Sequence, residues 1–180
     1  PVLRDESIEL SDTFEADGRQ LMSKFDKTLG SKIYISLRKA AFAFLTGEER
    51  KFMRGKKLLE VGCGSGRETA EIWLKVGGDI HITAIDPVKS MLELAQRHFA
   101  DYLDELEHGH PPLTNGNRPV FESISATDLP YEDNSFDVVF CGFVLHWVPD
   151  PAKAISEMVR VLKPGGLIFG VQPTKPASKP

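Results

Sequence analysis

Three glycines at alternate positions, Gly62, Gly64 and Gly66, follow a short apolar run that carries one acid, Leu58-Leu59-Glu60-Val61. A helical pattern comes next, with apolar residues at Ala70, Ile72, Trp73, Leu74 and Val76. Glycine lets a chain reverse sharply and lets backbone approach a ligand with no Cβ in the way. The first turn of the helix offers unpaired N–H groups and the positive end of its dipole. A strand, a glycine turn and a helix in that order can therefore cradle a nucleotide-like ligand. A lone glycine repeat carries little weight, but this one lies in the strand-to-helix context the mechanism needs.

Three further positions fit the same ligand. Asp86 lies twenty residues past Gly66, directly after the apolar run Ile80 to Ile85. A carboxylate there can accept hydrogen bonds from both hydroxyls of a ribose, or cap the helix that follows. Asp128-Leu129-Pro130 follows the run Val120 to Ile124. Asp128 can take an exocyclic amine while Leu129 covers a ring face; the plainer reading is a solvated loop acid. Gly142-Phe143-Val144-Leu145-His146-Trp147 follows the apolar run Phe136 to Cys141. Together these make a site for an adenosine-type ligand. Cys63 reads as a small turn residue, Trp73 as core, and His108 and His110 as exposed loop residues rather than metal ligands; no metal site is expected.

The elements that must position these residues alternate. Lys57 to Val61, Ile80 to Ile85, Val120 to Ile124, Phe136 to Cys141 and Leu167 to Val171 read as strands. Between them lie a helix through residues 70–76, a long amphipathic helix from Val88 to about Glu107, and a helix from Pro151 to Leu162 with proline in its first turn. Lys163-Pro164-Gly165-Gly166 is expected to stop the last helix. Such alternation predicts an α/β fold, an open parallel sheet with helices on both faces. Its ligands bind beyond the carboxyl ends of the strands, where strand order reverses. Upstream, Phe14, Leu21, Met22, Phe25 and Leu29 share a helix face, and residues 33–45 form a second helix. Glu48 to Lys56 is a charged linker with room for a helical turn. The expected division is a helical cap over residues 1–56, a ligand-binding core over 57–171, and a Pro/Lys tail over 172–180.

These motifs jointly resemble class I S-adenosylmethionine-dependent methyltransferases. Glu60-Val61-Gly62-Cys63-Gly64-Ser65-Gly66 matches that family's first motif, and Ala84-Ile85-Asp86 with Met91-Leu92 its second. Asp128-Leu129-Pro130 and Asn134-Ser135-Phe136-Asp137 match the third region. Leu145-His146-Trp147-Val148-Pro149-Asp150 and Arg160-Val161-Leu162-Lys163-Pro164-Gly165-Gly166 match the fourth and fifth. The arrangement is most similar to the small-molecule types, including those of quinone pathways. The resemblance implies a Rossmann-like sheet of order 3-2-1-4-5 and S-adenosylmethionine as cofactor, with S-adenosylhomocysteine as product. It further implies that Gly62 and Gly64 back the methionine part and ribose, and that Glu60 orients the loop or meets the cofactor's amino group through water. Asp86 would hold the ribose, Pro87 would lie on the adenine, Asp128 would bind its amine with Leu129 alongside, and Phe143 would line the cleft. His146 is the one histidine in a cleft-facing motif, as a general base or as a packed or substrate-contacting ring. Two departures stand out. Val88 replaces a serine common in the family, and the family's last two antiparallel strands have no counterpart after the fifth, which leaves an edge that can pair with another chain.

Composition narrows the classes. The 180 residues are 41% hydrophobic and 27% charged, with a net charge of −4, so no basic face for nucleic acid is implied. Only two cysteines occur, without C-x-x-C spacing, which argues against a zinc or redox motif. No apolar stretch is long enough to span a bilayer and no signal-peptide pattern opens the chain, so a cytoplasmic protein is expected. A nicotinamide dehydrogenase would require glycine where Arg67 stands. The function expected is methyl transfer to O, N or C of a small, partly apolar acceptor. The alternative is a methyltransferase-like module that binds cofactor or a partner without turnover.

Overall fold

The structure, a computed structural model, describes residues 48–107 and 116–172. The expected N-terminal helices and most of the Pro/Lys tail lie outside the described residues. A short helix α1 (Glu48–Met53) leads into β1 (Lys57–Val61), α2 (Arg67–Val76), β2 (His81–Ile85) and α3 (Lys89–Glu107). Then come β3 (Val120–Glu122), β4 (Phe136–Gly142), α4 (Pro151–Val161) and β5 (Leu162–Val171). The five strands are parallel, as the alternation predicts, and ordered β3-β2-β1-β4-β5, as the resemblance implies.

β1 and β4 form the centre, and both are nearly continuous runs of buried apolar residues. That is what a parallel strand covered on both faces requires. One face packs Leu58, Ile82, Val138 and Phe140 against Ile72, Trp73 and Val76 of α2 and Leu92 and Phe99 of α3. The other packs Leu59, Val61, Ile85 and Val139 against Ala154, Met158 and Val161 of α4. Trp73 is core, as expected, with its ring edge-on to Phe99 at 5.3 Å and its indole N–H donated to the Asn117 carbonyl at 2.7 Å.

The strand register positions the site. Val61 pairs with Ile85 on one side and with Cys141 on the other. The residues that follow, Gly62, Asp86 and Gly142, therefore emerge side by side at one edge of the sheet.

The helical turn open to the charged linker is α1. Two boundaries differ from the sequence reading. β3 ends at Glu122, because the chain turns away where Asp128 N–H bonds the Ser125 carbonyl. Lys163 to Gly166, expected as a stop, is instead a bulge inside β5. Leu162 pairs with Phe136 and Leu167 with Val138, so residues 163–166 lie opposite Asp137 alone. Lys163 Nζ reaches Asp137 Oδ1 at 2.9 Å, and a Cβ on Gly166 would meet the Asp137 carbonyl oxygen at 2.8 Å. Glycine is needed there for close backbone approach. No helix among the described residues is long and apolar enough to cross a membrane.

Candidate functional site

The glycine turn is built by three different requirements. Gly62 packs against the loop after β4, where an added Cβ would lie 2.3 Å from Val144 Cγ2. Gly66 packs against α3, where a Cβ would lie 2.8 Å from that of Ala95. Gly64 has φ +50°, and a Cβ there would meet nothing within 4 Å. Its backbone faces open space, as a ligand-facing turn should. Gly62 and Cys63 donate their N–H groups to the Ile85 carbonyl at 2.7 and 2.9 Å, which fixes the turn over β2. Ser65 accepts at its carbonyl from His98 Nδ1 of α3 at 3.0 Å. Gly66 is also the N-cap of α2 and, as a glycine, brings no side chain to that helix start.

Beneath the turn lies Glu60, 1% exposed, with Oε2 lacking any hydrogen-bond partner. Burial, reinforced by the charges of Glu68 and Asp86, pushes its carboxyl up to about 8, against the influence of the Thr69 hydroxyl. A buried carboxylate oxygen left unpaired is costly, and a cationic ligand group would relieve it. Asp86 performs the capping role read from the sequence and a second one that was not read there. Its Oδ1 accepts from Val88 N–H at 2.9 Å, which is the cap, and its Oδ2 accepts from Gly64 N–H at 3.0 Å, which ties the second motif to the first. Burial raises its pKa, and these two N–H groups oppose the shift. Each oxygen keeps a second lone pair, so capacity remains for ribose hydroxyls.

The loop after β3 lies beside Asp86. Asp86 N–H bonds the Glu122 carbonyl at 3.2 Å, and Ser123 Oγ approaches the Pro87 carbonyl at 3.4 Å. Asp128 and Pro87 are exposed, whereas Leu129 is 4% exposed and joins the core under α4. The Leu129 side chain is thus an anchor in the structure rather than an open ring cover. Phe143 sits at φ +59°, a conformation that non-glycine residues avoid, held by its N–H on the Val171 carbonyl at 2.6 Å. His146 is exposed, with its ring 4.8 Å from that of Trp147. Such packing as it has lowers its pKa, opposed by its hydrogen bond with Gln172.

Two groups of residues have roles that the sequence reading did not assign. Gln172, assigned to the tail, stitches the loop after β4: its amide donates to the Cys141 carbonyl at 3.0 Å and accepts from Leu145 N–H at 3.1 Å. Glu157 and Arg160 of α4 grip the Asp128-Leu129 loop. Their spacing of three on a helix was a readable pair, but nothing in the sequence said which loop they meet. Among the described residues no cluster of His, Cys, Asp and Glu could hold a metal.

The site as a whole offers a buried carboxyl with one unpaired oxygen, a helix that starts on a glycine, an open glycine turn and acids at the ends of β2 and of the loop after β3. These are features that a nucleotide-like ligand needs at a strand-to-helix turn.

Residues 59–170 match the family described as methyltransferase domain. Over 130 residues the chain is 39% identical to the demethylmenaquinone methyltransferase of Staphylococcus aureus, covering 70% of this chain and 48% of that protein. The chain thus spans about half the length of the curated relatives it matches. Among solved structures, CrArsM, an arsenic(III) S-adenosylmethionine methyltransferase from Chlamydomonas reinhardtii, is similar with a TM-score of 0.52 and 28% identity over 73% of this chain and 47% of that one. The (4+2)-cyclase SpnF is similar with a TM-score of 0.52 and 33% identity over 74% of this chain and 43% of that one.

Proposed function

The chain belongs to the methyltransferase domain family, and on that premise we propose that it moves a methyl group from S-adenosylmethionine to a nucleophile of a small, partly apolar acceptor. The observation that carries this is the unpartnered Oε2 of Glu60 beneath an open glycine turn, with Asp86 alongside in register. When bound, the cofactor supplies a methyl group already activated on a sulfonium, so the protein mainly aligns and desolvates. Glu60 accepts hydrogen bonds from the ammonium, directly or through water. Asp86 accepts from the ribose hydroxyls while still holding Gly64 and Val88. Gly64 keeps the turn open to the cofactor, with Gly62 behind it. Asp128 accepts from the adenine amine, with Pro87 and the Leu129 backbone beside the base. Phe143 lines the cleft, and His146 faces the acceptor side as a base or a contact.

The name of the Staphylococcus aureus relative favours an acceptor of the quinol kind. The N-terminal segment, residues 1–56, is read as a cap whose aromatics Phe14, Phe25 and Tyr34 close the cleft, which excludes nucleic acids and other large polymers. The core then spans 57–171, and 172–180 is a tail. The proposed location is cytoplasmic. A module that binds cofactor or a partner without turnover is the second reading.

Calorimetry with S-adenosylhomocysteine and with NAD tests the site; binding of the first and not the second is expected, and the reverse overturns the assignment. Labelled S-adenosylmethionine offered with apolar acids, phenols and quinols tests turnover. Transfer to a phenol or quinol is expected. Binding without transfer to any acceptor favours the second reading, and efficient labelling of RNA or folded protein removes the cap.

A further inference from the structure

We infer that the Glu157–Arg160 pair of α4 is a positioning device that sets how strictly the site reads the base of its ligand; this rests on the adenosyl reading of the site. Arginine has five N–H donors in a rigid fork, and Arg160 uses the whole fork. Nε donates to Glu157 Oε1 at 2.8 Å. Nη1 donates to the Tyr131 carbonyl at 2.7 Å and to Asp133 Oδ1 at 2.9 Å. Nη2 donates to the Leu129 carbonyl and to Glu157 Oε2, both at 2.8 Å. Glu157 Oε2 then accepts from Leu129 N–H at 3.0 Å. Both backbone groups of Leu129 are therefore held by one ion pair on a helix that is itself packed into the core.

The consequence lies one residue away. Ala126 and Leu129 are buried, and between them the chain turns so that Asp128 stands exposed with Thr127 beside it. Ser125 Oγ lies 3.0 Å from Thr127 Oγ1, so the tip is a compact polar surface. The same loop begins at Ser123, whose Oγ donates to the Pro87 carbonyl at 3.4 Å, and the adenosyl reading puts the base at this end of the site. Such a tip distinguishes a 6-amino from a 6-oxo purine only if its acceptors are aimed to within a fraction of an ångström. The pair supplies that aim; it touches no ligand itself. Loosening it leaves the amino-acid and ribose contacts intact and blunts discrimination of the base.

The test measures binding of S-adenosylhomocysteine and of S-inosylhomocysteine by calorimetry. The wild type is compared with Arg160→Lys, Glu157→Gln and the control Lys163→Met, which removes the Lys163–Asp137 ion pair elsewhere. The wild type is expected to prefer the adenosyl ligand by about tenfold or more, the discrimination one well-made hydrogen bond provides. In Arg160→Lys that ratio should fall to within about threefold, since a point charge cannot replace a bidentate fork, while Lys163→Met keeps it. Glu157→Gln, which preserves shape, carries the test if the lysine variant does not fold. A folded variant with the wild-type ratio overturns the inference, as does a wild type that binds both ligands equally. A wild type that binds neither overturns the adenosyl reading instead.

Discussion

Glu60 is fully buried with one oxygen unpaired, and its carboxyl is raised to about 8. The folded protein therefore keeps a proton that the unfolded chain releases above its ordinary carboxylate range. Stability from this group is present at low pH and is lost as pH rises from about 4.5 through about 8. Glu60→Gln should stabilise the protein, and its advantage in urea unfolding should grow by about 1 kcal/mol or more between mildly acidic and mildly alkaline buffer. An advantage independent of pH would show that Glu60 does not titrate there. Asp86→Ala should weaken S-adenosylhomocysteine binding by about 1.5–3 kcal/mol, the range for hydrogen bonds to a charged group. Calorimetry showing unchanged affinity would remove Asp86 from the site.

The turn from β1 to α2 separates folding from binding within three residues. Gly62→Ala places a methyl group 2.3 Å from Val144 Cγ2 at a positive φ, so strain and overpacking combine. A stability loss of about 2–4 kcal/mol is expected in urea unfolding. Gly64→Ala meets open space, so its stability loss should stay near about 1–2 kcal/mol, from φ alone. Its cost should appear in cofactor binding, where the methyl group stands in the ligand's way. Equal stability losses for the two, with binding kept in Gly64→Ala, would contradict this division. At α4, Arg160 holds the Glu157 carboxyl down at about 2. That contribution to stability is present above the ordinary carboxylate range and is lost as pH falls toward about 2. Acid unfolding of Glu157→Gln should accordingly be less steep than that of the wild type between about pH 4.5 and pH 2.

At the scale of the whole molecule, β5 pairs with β4 and with no other strand among the described residues. Ile168, in its middle, is 43% exposed. An open strand edge with apolar side chains is a template for another strand. The 180-residue chain is expected to self-associate with rising concentration, and Ile168→Lys should reduce this in sedimentation velocity. A monomer at all concentrations would mean that the edge is covered.

The sequence by itself determined the alternation of strands and helices, the glycine turn and the position of Asp86. Each is written in local terms: apolar runs of strand length, glycines at alternate positions, an acid directly after a strand. What the tertiary structure decided is which partners those residues meet. Gly62 and Gly64 look alike in sequence, but only packing shows one backed by Val144 and the other open. Lys163 to Gly166 reads as a helix stop, yet pairing with β4 absorbs it as a bulge, because the partner strand supplies hydrogen bonds that local pattern cannot show. Gln172 and Arg160 act on loops 27 to 31 residues away in the chain. No local spacing encodes contacts at that separation; the packing of α4 and β5 against the sheet creates them.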